Sequence, residues 1–297
     1  MTQSITRVFA ATDFSPIAGL ALDRAARIAR RHQARLHIVH AVGWGGLLEE
    51  TAGTPGLVLD RTRVFEAVAV ALERERERLR EATGVEAETV VLDEALHRAL
   101  PGQLASSPEA LVVMGAHGEG GWSDALLGST ADRVLRRRVA PVLLVRRSGE
   151  EGYRRIALAT DFSSASERAA RLGLALAPEA VPFLLHANEP PFDSTLALVG
   201  VSDETIEDYR RRTANAAMRE IEAFAARLGE AGSRALPALR DGRPSRVLPA
   251  FVAEADIELM VVGAQGRSRL AGNLLGSTSR HVAAGLPCDV LVVPELA

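Results

Sequence analysis

Leu259-Met260-Val261-Val262-Gly263-Ala264-Gln265-Gly266 is an apolar run that opens into a glycine turn, and Gly276-Ser277-Thr278 follows nine residues later. The first half of the chain carries the same device. There Leu111-Val112-Val113-Met114 leads into Gly115-Ala116-His117-Gly118, then nine residues, then Gly128-Ser129-Thr130. Gly263 lies 148 residues after Gly115, and Gly276 lies 148 residues after Gly128. A buried strand, a glycine loop and a helix start are thus written twice in constant register. Such a loop exposes backbone N–H groups beside a positive helix N-terminus, which suits a phosphate.

Working outward, each half alternates strands with helices. Arg7–Thr12 reads as a strand ending at Asp13-Phe14-Ser15-Pro16, where Ser15 caps a helix over 17–32. Thr160-Asp161-Phe162-Ser163 repeats that ending, again 148 residues on. Further strands are expected at 35–42, 84–92, 111–114 and 142–145, and their copies at 155–160, 181–187, 233–239, 259–262 and 290–293. Long helices are expected over 61–82 and 203–228. Pro101 is expected to divide a short helix over 95–106. The segment 43–60 is a long glycine-bearing loop, as is 188–202 with Pro190-Pro191. Alternating strands and helices predict an α/β fold with parallel sheets. The expected division is 1–147, a linker at 148–153, and 154–297.

Composition narrows the function. A net charge of −3 offers no basic field for nucleic acid. No apolar run is long enough for a membrane helix, and Met1–Arg7 has no signal-peptide core. Cys288 is the single cysteine, so neither an internal disulfide nor a cysteine metal cluster is expected. The natural expectation is a cytoplasmic protein. The run Glu73–Glu81 (ERERERLRE) reads as a solvated, ion-paired helix face, and Arg136-Arg137-Arg138 as cations complementing a helix C-terminus.

In an open parallel sheet wound both ways from its middle, the ends of the first and fourth strands flank the ligand crevice. Asp13 and Gly115 therefore converge, as do Asp161 and Gly263. The carboxylate can accept from an amino group or a ribose hydroxyl. The glycine loop and the Ser129 or Ser277 hydroxyl can hold phosphates. Neither the Walker A spacing nor the Gly-x-Gly-x-x-Gly spacing is present.

These residues resemble the universal stress protein family in its tandem form. The two Gly-x2-Gly-x9-Gly-Ser stretches, the two Thr-Asp-Phe-Ser segments and the closing Val-Leu-Leu-Val and Val-Leu-Val-Val strands carry the resemblance, which covers nearly the whole chain. It implies two Rossmann-like five-stranded domains paired through their last strands, 142–145 against 290–293, as a pseudo-dimer. It implies ATP as ligand, with Mg2+ or Mn2+ beside the phosphates. The implied nucleotide contacts in the first half are Thr12, Asp13, Ala41, Met114, Gly115, His117, Gly118, Gly128, Ser129 and Thr130. Those in the second half are Thr160, Asp161, Ala187, Val262, Gly263, Gln265, Gly266, Arg267, Gly276, Ser277 and Thr278. A homo-oligomer of tandem chains and a regulatory protein partner belong to the same expectation.

The halves differ after the second glycine. Arg267, Ser268 and Arg269 stand where the first half has Glu119, Gly120 and Gly121, with Asp124 beyond. Cations favour a phosphate, so the second site is expected to bind ATP more tightly. His117 is matched by Gln265, and no catalytic triad or carboxylate pair is evident. His40 and His186 recur at strand ends and read as structural. The leading expectation is an ATP-binding regulatory or stress protein. The alternatives are a slow ATP hydrolase or self-phosphorylating enzyme, and a nucleotide-free structural dimer.

Overall fold

The computed structural model describes residues 5–44, 60–105, 107, 109–118, 127–149, 152–190, 199, 201–266 and 276–295. The segment 45–59, Pro191, Glu119–Asp124 and Arg267–Arg269 lie outside the described residues. Two compact units are formed. One comprises Met1–Glu150 with Ala283–Ala297, the other Glu151–Val282.

In chain order the first unit contains β1 (Arg7–Ala11), α1 (Pro16–His32), β2 (Arg35–Ala41), α2 (Arg61–Thr83), β3 (Ala87–Leu92), α3 (Leu96–Leu104), β4 (Ala110–Gly115), α4 (Ser129–Arg137) and β5 (Val142–Val145). Next come β6 (Arg155–Ala159), α5 (Ser164–Leu176), β7 (Val181–Asn188), α6 (Asp203–Arg227), α7 (Glu230–Ser233), β8 (Leu236–Asp241), α8 (Pro244–Glu254), β9 (Leu259–Gly263) and α9 (Ser277–Gly285). The last strand, β10 (Asp289–Val293), falls in the first unit. Strand order in the first unit is β3-β2-β1-β4-β5-β10, and in the second β9-β6-β7-β8. Every pairing in these two runs is parallel except β10 on β5. There Val290 faces Leu144 and Val292 faces Val142, which is the pairing expected of the closing strands.

Local sequence explains the elements. Ser15 accepts from the Ala18 N–H at 3.3 Å and Pro16 occupies the first helical position, so α1 starts there. Its buried stripe, Ala18, Leu22, Ala25 and Ala29, recurs every three or four residues. All four residues of β5 and the first five of β4 are buried, as expected of strands covered on both faces. In α2 the charged run pairs with itself, Arg76 with Glu73, Arg78 with Glu75 and Arg80 with Glu77.

Three expectations are corrected. Pro101 lies inside α3 without dividing it. Its missing N–H forfeits one bond, yet Leu100 and Leu104 anchor the helix on both sides of the ring, and burial overrides propensity. Gly84 is not strand. It ends α2 with φ +70°, and its N–H bonds the Arg80 carbonyl at 2.9 Å, so β3 begins only at Ala87. Ser233 closes the short turn α7, and β8 begins at Leu236.

One buried ionic cluster fixes β10 within the first unit. Asp289 is 1% exposed. Its Oδ1 accepts from the backbone N–H groups of Arg146 and Arg147 at 2.8 and 3.3 Å, and its Oδ2 lies 3.6 Å from the Arg24 guanidinium on α1. The Arg146 guanidinium donates to the Ala283 carbonyl at 2.5 Å, and its burial pulls its pKa below the ordinary arginine value.

Candidate functional site

The first site begins where β1 stops. Thr12, Asp13, Phe14 and Ser15 form a tight bend held by side-chain hydrogen bonds. Asp13 Oδ1 accepts from both the N–H and the hydroxyl of Ser15, at 3.1 and 2.5 Å. The Phe14 N–H donates to Thr12 Oγ1 at 2.9 Å. Between these two locks Phe14 is held at φ +64°, a left-handed conformation that costs a bulky residue energy. The second site repeats every feature. Ser163 donates to Asp161 Oδ1 at 3.1 and 2.5 Å, Thr160 Oγ1 accepts from Phe162 at 2.9 Å, and Phe162 has φ +67°.

His40 and His186 complete each bend. His40 Nδ1 lies 2.9 Å from the Thr12 carbonyl, and the ring stacks on Phe14 at 4.7 Å. His186 Nδ1 lies 2.8 Å from the Thr160 carbonyl, with Phe162 at 4.4 Å. A carbonyl can only accept, so each Nδ1 carries the proton. Burial lowers the His40 pKa, against the opposing pull of the Thr12 carbonyl and Asp13, so the ring is neutral at pH 7. These histidines brace the bend carrying the aspartate. Their recurrence at equivalent strand ends was visible in the sequence, but the carbonyl each one serves was not.

The glycine loop faces the bend. The Gly128 N–H closes it by bonding the Ala116 carbonyl at 2.8 Å, and the Gly276 N–H bonds the Ala264 carbonyl at 2.9 Å. Gly128 is the N-cap of α4 and supplies no side chain to its first N–H groups. That leaves a positive helix end facing the loop. At Gly118 a Cβ would overlap Asp13 Oδ2, so a larger residue there would force the carboxylate to shift.

Among the described residues, strand ends and the glycine turn line a cavity in each unit. The first has a volume of about 610 Å³ and is lined by Thr12, Asp13, Ala41, Met114, Gly115, His117, Gly118, Gly128, Ser129 and Thr130, all the first-half residues singled out from sequence. The second has a volume of about 180 Å³ and is lined by Thr160, Asp161, Ala187, Val262, Gly263, Gln265, Gly266, Gly276, Ser277 and Thr278. Arg267 lies outside the described residues. Sequence reasoning missed the apolar and small walls: Ala18, Val39, Leu96 and Ala131 in the first cavity, and Ser166, Leu185, Leu248 and Ser279 in the second. The 148-residue register could have found several of them, since it aligns Ala18 with Ser166 and Ala131 with Ser279. Among the described residues no group of three histidine, cysteine or acidic side chains could hold a metal. No described helix is long and apolar enough to cross a membrane.

Comparison with known proteins agrees with this architecture. Universal stress protein YxiE of Bacillus subtilis is 31% identical over 147 residues, covering 47% of this chain and 98% of that protein. Universal stress protein E homolog of Haemophilus influenzae is 40% identical over 53 residues, which span 18% of this chain and only 17% of that protein. The crystal structure of a universal stress protein from Archaeoglobus fulgidus superposes with a TM-score of 0.67 at 18% identity, covering 97% of this chain and 98% of that one. The model of the Universal stress protein family matches residues 4–146 and again residues 152–294, so the chain belongs to that family and carries it twice in tandem.

Proposed function

We propose that this chain is an ATP-binding regulatory protein of the stress response, whose nucleotide occupancy changes its contacts with a protein partner. The observation that carries the reading is the first cavity. A strand-end carboxylate, a glycine loop and a helix N-terminus with no capping side chain share one space of about 610 Å³. That volume suits a small-molecule ligand. Asp13 Oδ1 is committed to Ser15, so its second oxygen is the one aimed past Gly118. It would accept from a ribose hydroxyl or a base amino group, while the loop and α4 N–H groups meet the phosphates. Ala41, at the end of β2, would offer backbone to the adenine edge. In this reading a divalent ion, Mg2+ or Mn2+, arrives with the nucleotide and is held chiefly by its phosphates.

Binding is favoured over rapid turnover. Thr12, Asp13 and His40 brace the bend beside the first cavity, and His117 is replaced by Gln265 at the equivalent point of the second. Native mass spectrometry of the purified full-length protein tests the reading directly. Retained ATP is the expected result, and its absence together with no binding in titration would refute it. Turnover of labelled ATP well above one per minute, a barrier below roughly 20 kcal/mol, would make the protein an enzyme instead.

A further inference from the structure

We propose that the two cavities are not equivalent. The first admits a whole nucleoside triphosphate, whereas the second is closed to it, and Ser166 and Ser279 are the residues that close it. The inference rests on the nucleotide reading above and assigns its stoichiometry.

Ser166 and Ser279 stand in register with Ala18 and Ala131, and all four line their cavities. Each serine makes a tie that alanine cannot make. Ser166 Oγ lies 3.1 Å from Thr160 Oγ1 and donates to the Ser163 carbonyl at 2.9 Å. It thereby fastens the first turn of α5 to the end of β6. Ser279 Oγ donates to the Gly263 carbonyl at 2.6 Å and fastens the first turn of α9 to the start of the glycine loop. Two walls of the second cavity are thus tied by hydroxyls where the first cavity has alanines.

The backbone shows the same closure. A Cβ placed on Gly263 would meet the main chain of Ala165 and Ser166 at 3.3 Å, so α5 itself lies against the end of β9. At Gly115 the nearest atom is a methyl of the Ile17 side chain, at 3.0 Å. A side chain keeps α1 at a distance where Ala165 lets α5 come close. The second space has a volume of about 180 Å³ against about 610 Å³ for the first. Pockets for drug-sized ligands fall in the range of about 300–1,000 Å³, which includes the first value and excludes the second. This order is opposite to the one expected from Arg267 and Arg269.

Isothermal titration of the full-length protein with ATP and Mg2+ tests the inference, read as moles bound per chain. One ATP per chain is expected for the native protein. Photolabelling with 8-azido-ATP should then mark peptides lining the first cavity alone. The double variant Ser166→Ala/Ser279→Ala should bind two. The reciprocal variant Ala18→Ser/Ala131→Ser should weaken the first site tenfold or more, which keeps the idea testable should the first variant fold poorly. Two ATP per native chain, or label confined to the second cavity, would overturn the asymmetry while leaving the nucleotide reading intact. One ATP per chain in Ser166→Ala/Ser279→Ala, with no effect of the reciprocal pair, would overturn the role of the serines. No binding by any variant would overturn both readings together.

Discussion

Asp13 and Gly118 are in contact across the mouth of the first cavity, so closely that a single methyl group on residue 118 would overlap the carboxylate oxygen Oδ2. The equivalent pair is looser, with Asp161 Oδ2 at 3.1 Å from the position of a Cβ on Gly266. In Gly118→Ala the carboxylate must move. ATP affinity at the first site should fall at least tenfold, roughly 1.4 kcal/mol. Titration calorimetry reads the loss, and an unchanged affinity would remove Asp13 from the binding machinery.

Phe14 supplies a second test. It is held left-handed at φ +64° although its side chain is partly exposed. For an ordinary residue that conformation costs about 1–2 kcal/mol. Phe14→Gly should therefore leave stability within about 1 kcal/mol of the native protein, relief of strain offsetting the lost stacking on His40. Phe14→Val, β-branched and no better buried, should lose about 2 kcal/mol. Urea unfolding separates them, and equal losses would show that the strain is not borne by this residue.

Asp289 is buried with Arg24 and two backbone N–H groups around it. Asp289→Ala leaves a buried guanidinium without that partner and should destabilise the first unit by about 3–5 kcal/mol. Limited proteolysis should then cut within residues 1–150 before it cuts within 152–282. Cleavage in the opposite order would argue against the cluster as the anchor of β10.

Acid should unfold the first unit early. His32, His37, His40 and His97 all have pKa values pulled below the ordinary 6.5, burial being the largest cause in each. The unfolded chain therefore takes up these protons first. Their neutral forms are fully compatible with folding above pH 6.5, and stability is lost as pH falls from there through the lowered folded values. The melting temperature should decline between pH 7.5 and 5, and His37→Gln should flatten that slope. A slope unaffected by the substitution would assign the loss to other groups.

Much of the fold was legible because the chain states it twice. The 148-residue register aligned both glycine turns, both strand-end aspartates and both helix-capping serines, and the glycines and aspartates meet in the cavities. What escaped was set by tertiary packing. Pro101 is tolerated because Leu100 and Leu104 are buried around it, which no local propensity reveals. The bracing of Thr12 by His40 depends on two strands lying side by side, so the sequence showed a recurring histidine without its acceptor. The two cavities also differ by the hydroxyls of Ser166 and Ser279 and by the exchange of Ile17 for Ala165, differences too small to attract notice beside charged residues.

The placement of β10 in the first unit also bears on biosynthesis. A ribosome completes β5 at Val145 and must add over a hundred residues before Asp289 emerges. At about 5–20 residues per second this leaves the edge of β5 unpaired for on the order of ten seconds. A bare apolar strand edge invites pairing with another nascent chain. That exposure falls on the translating polysome, before β10 exists to cover β5.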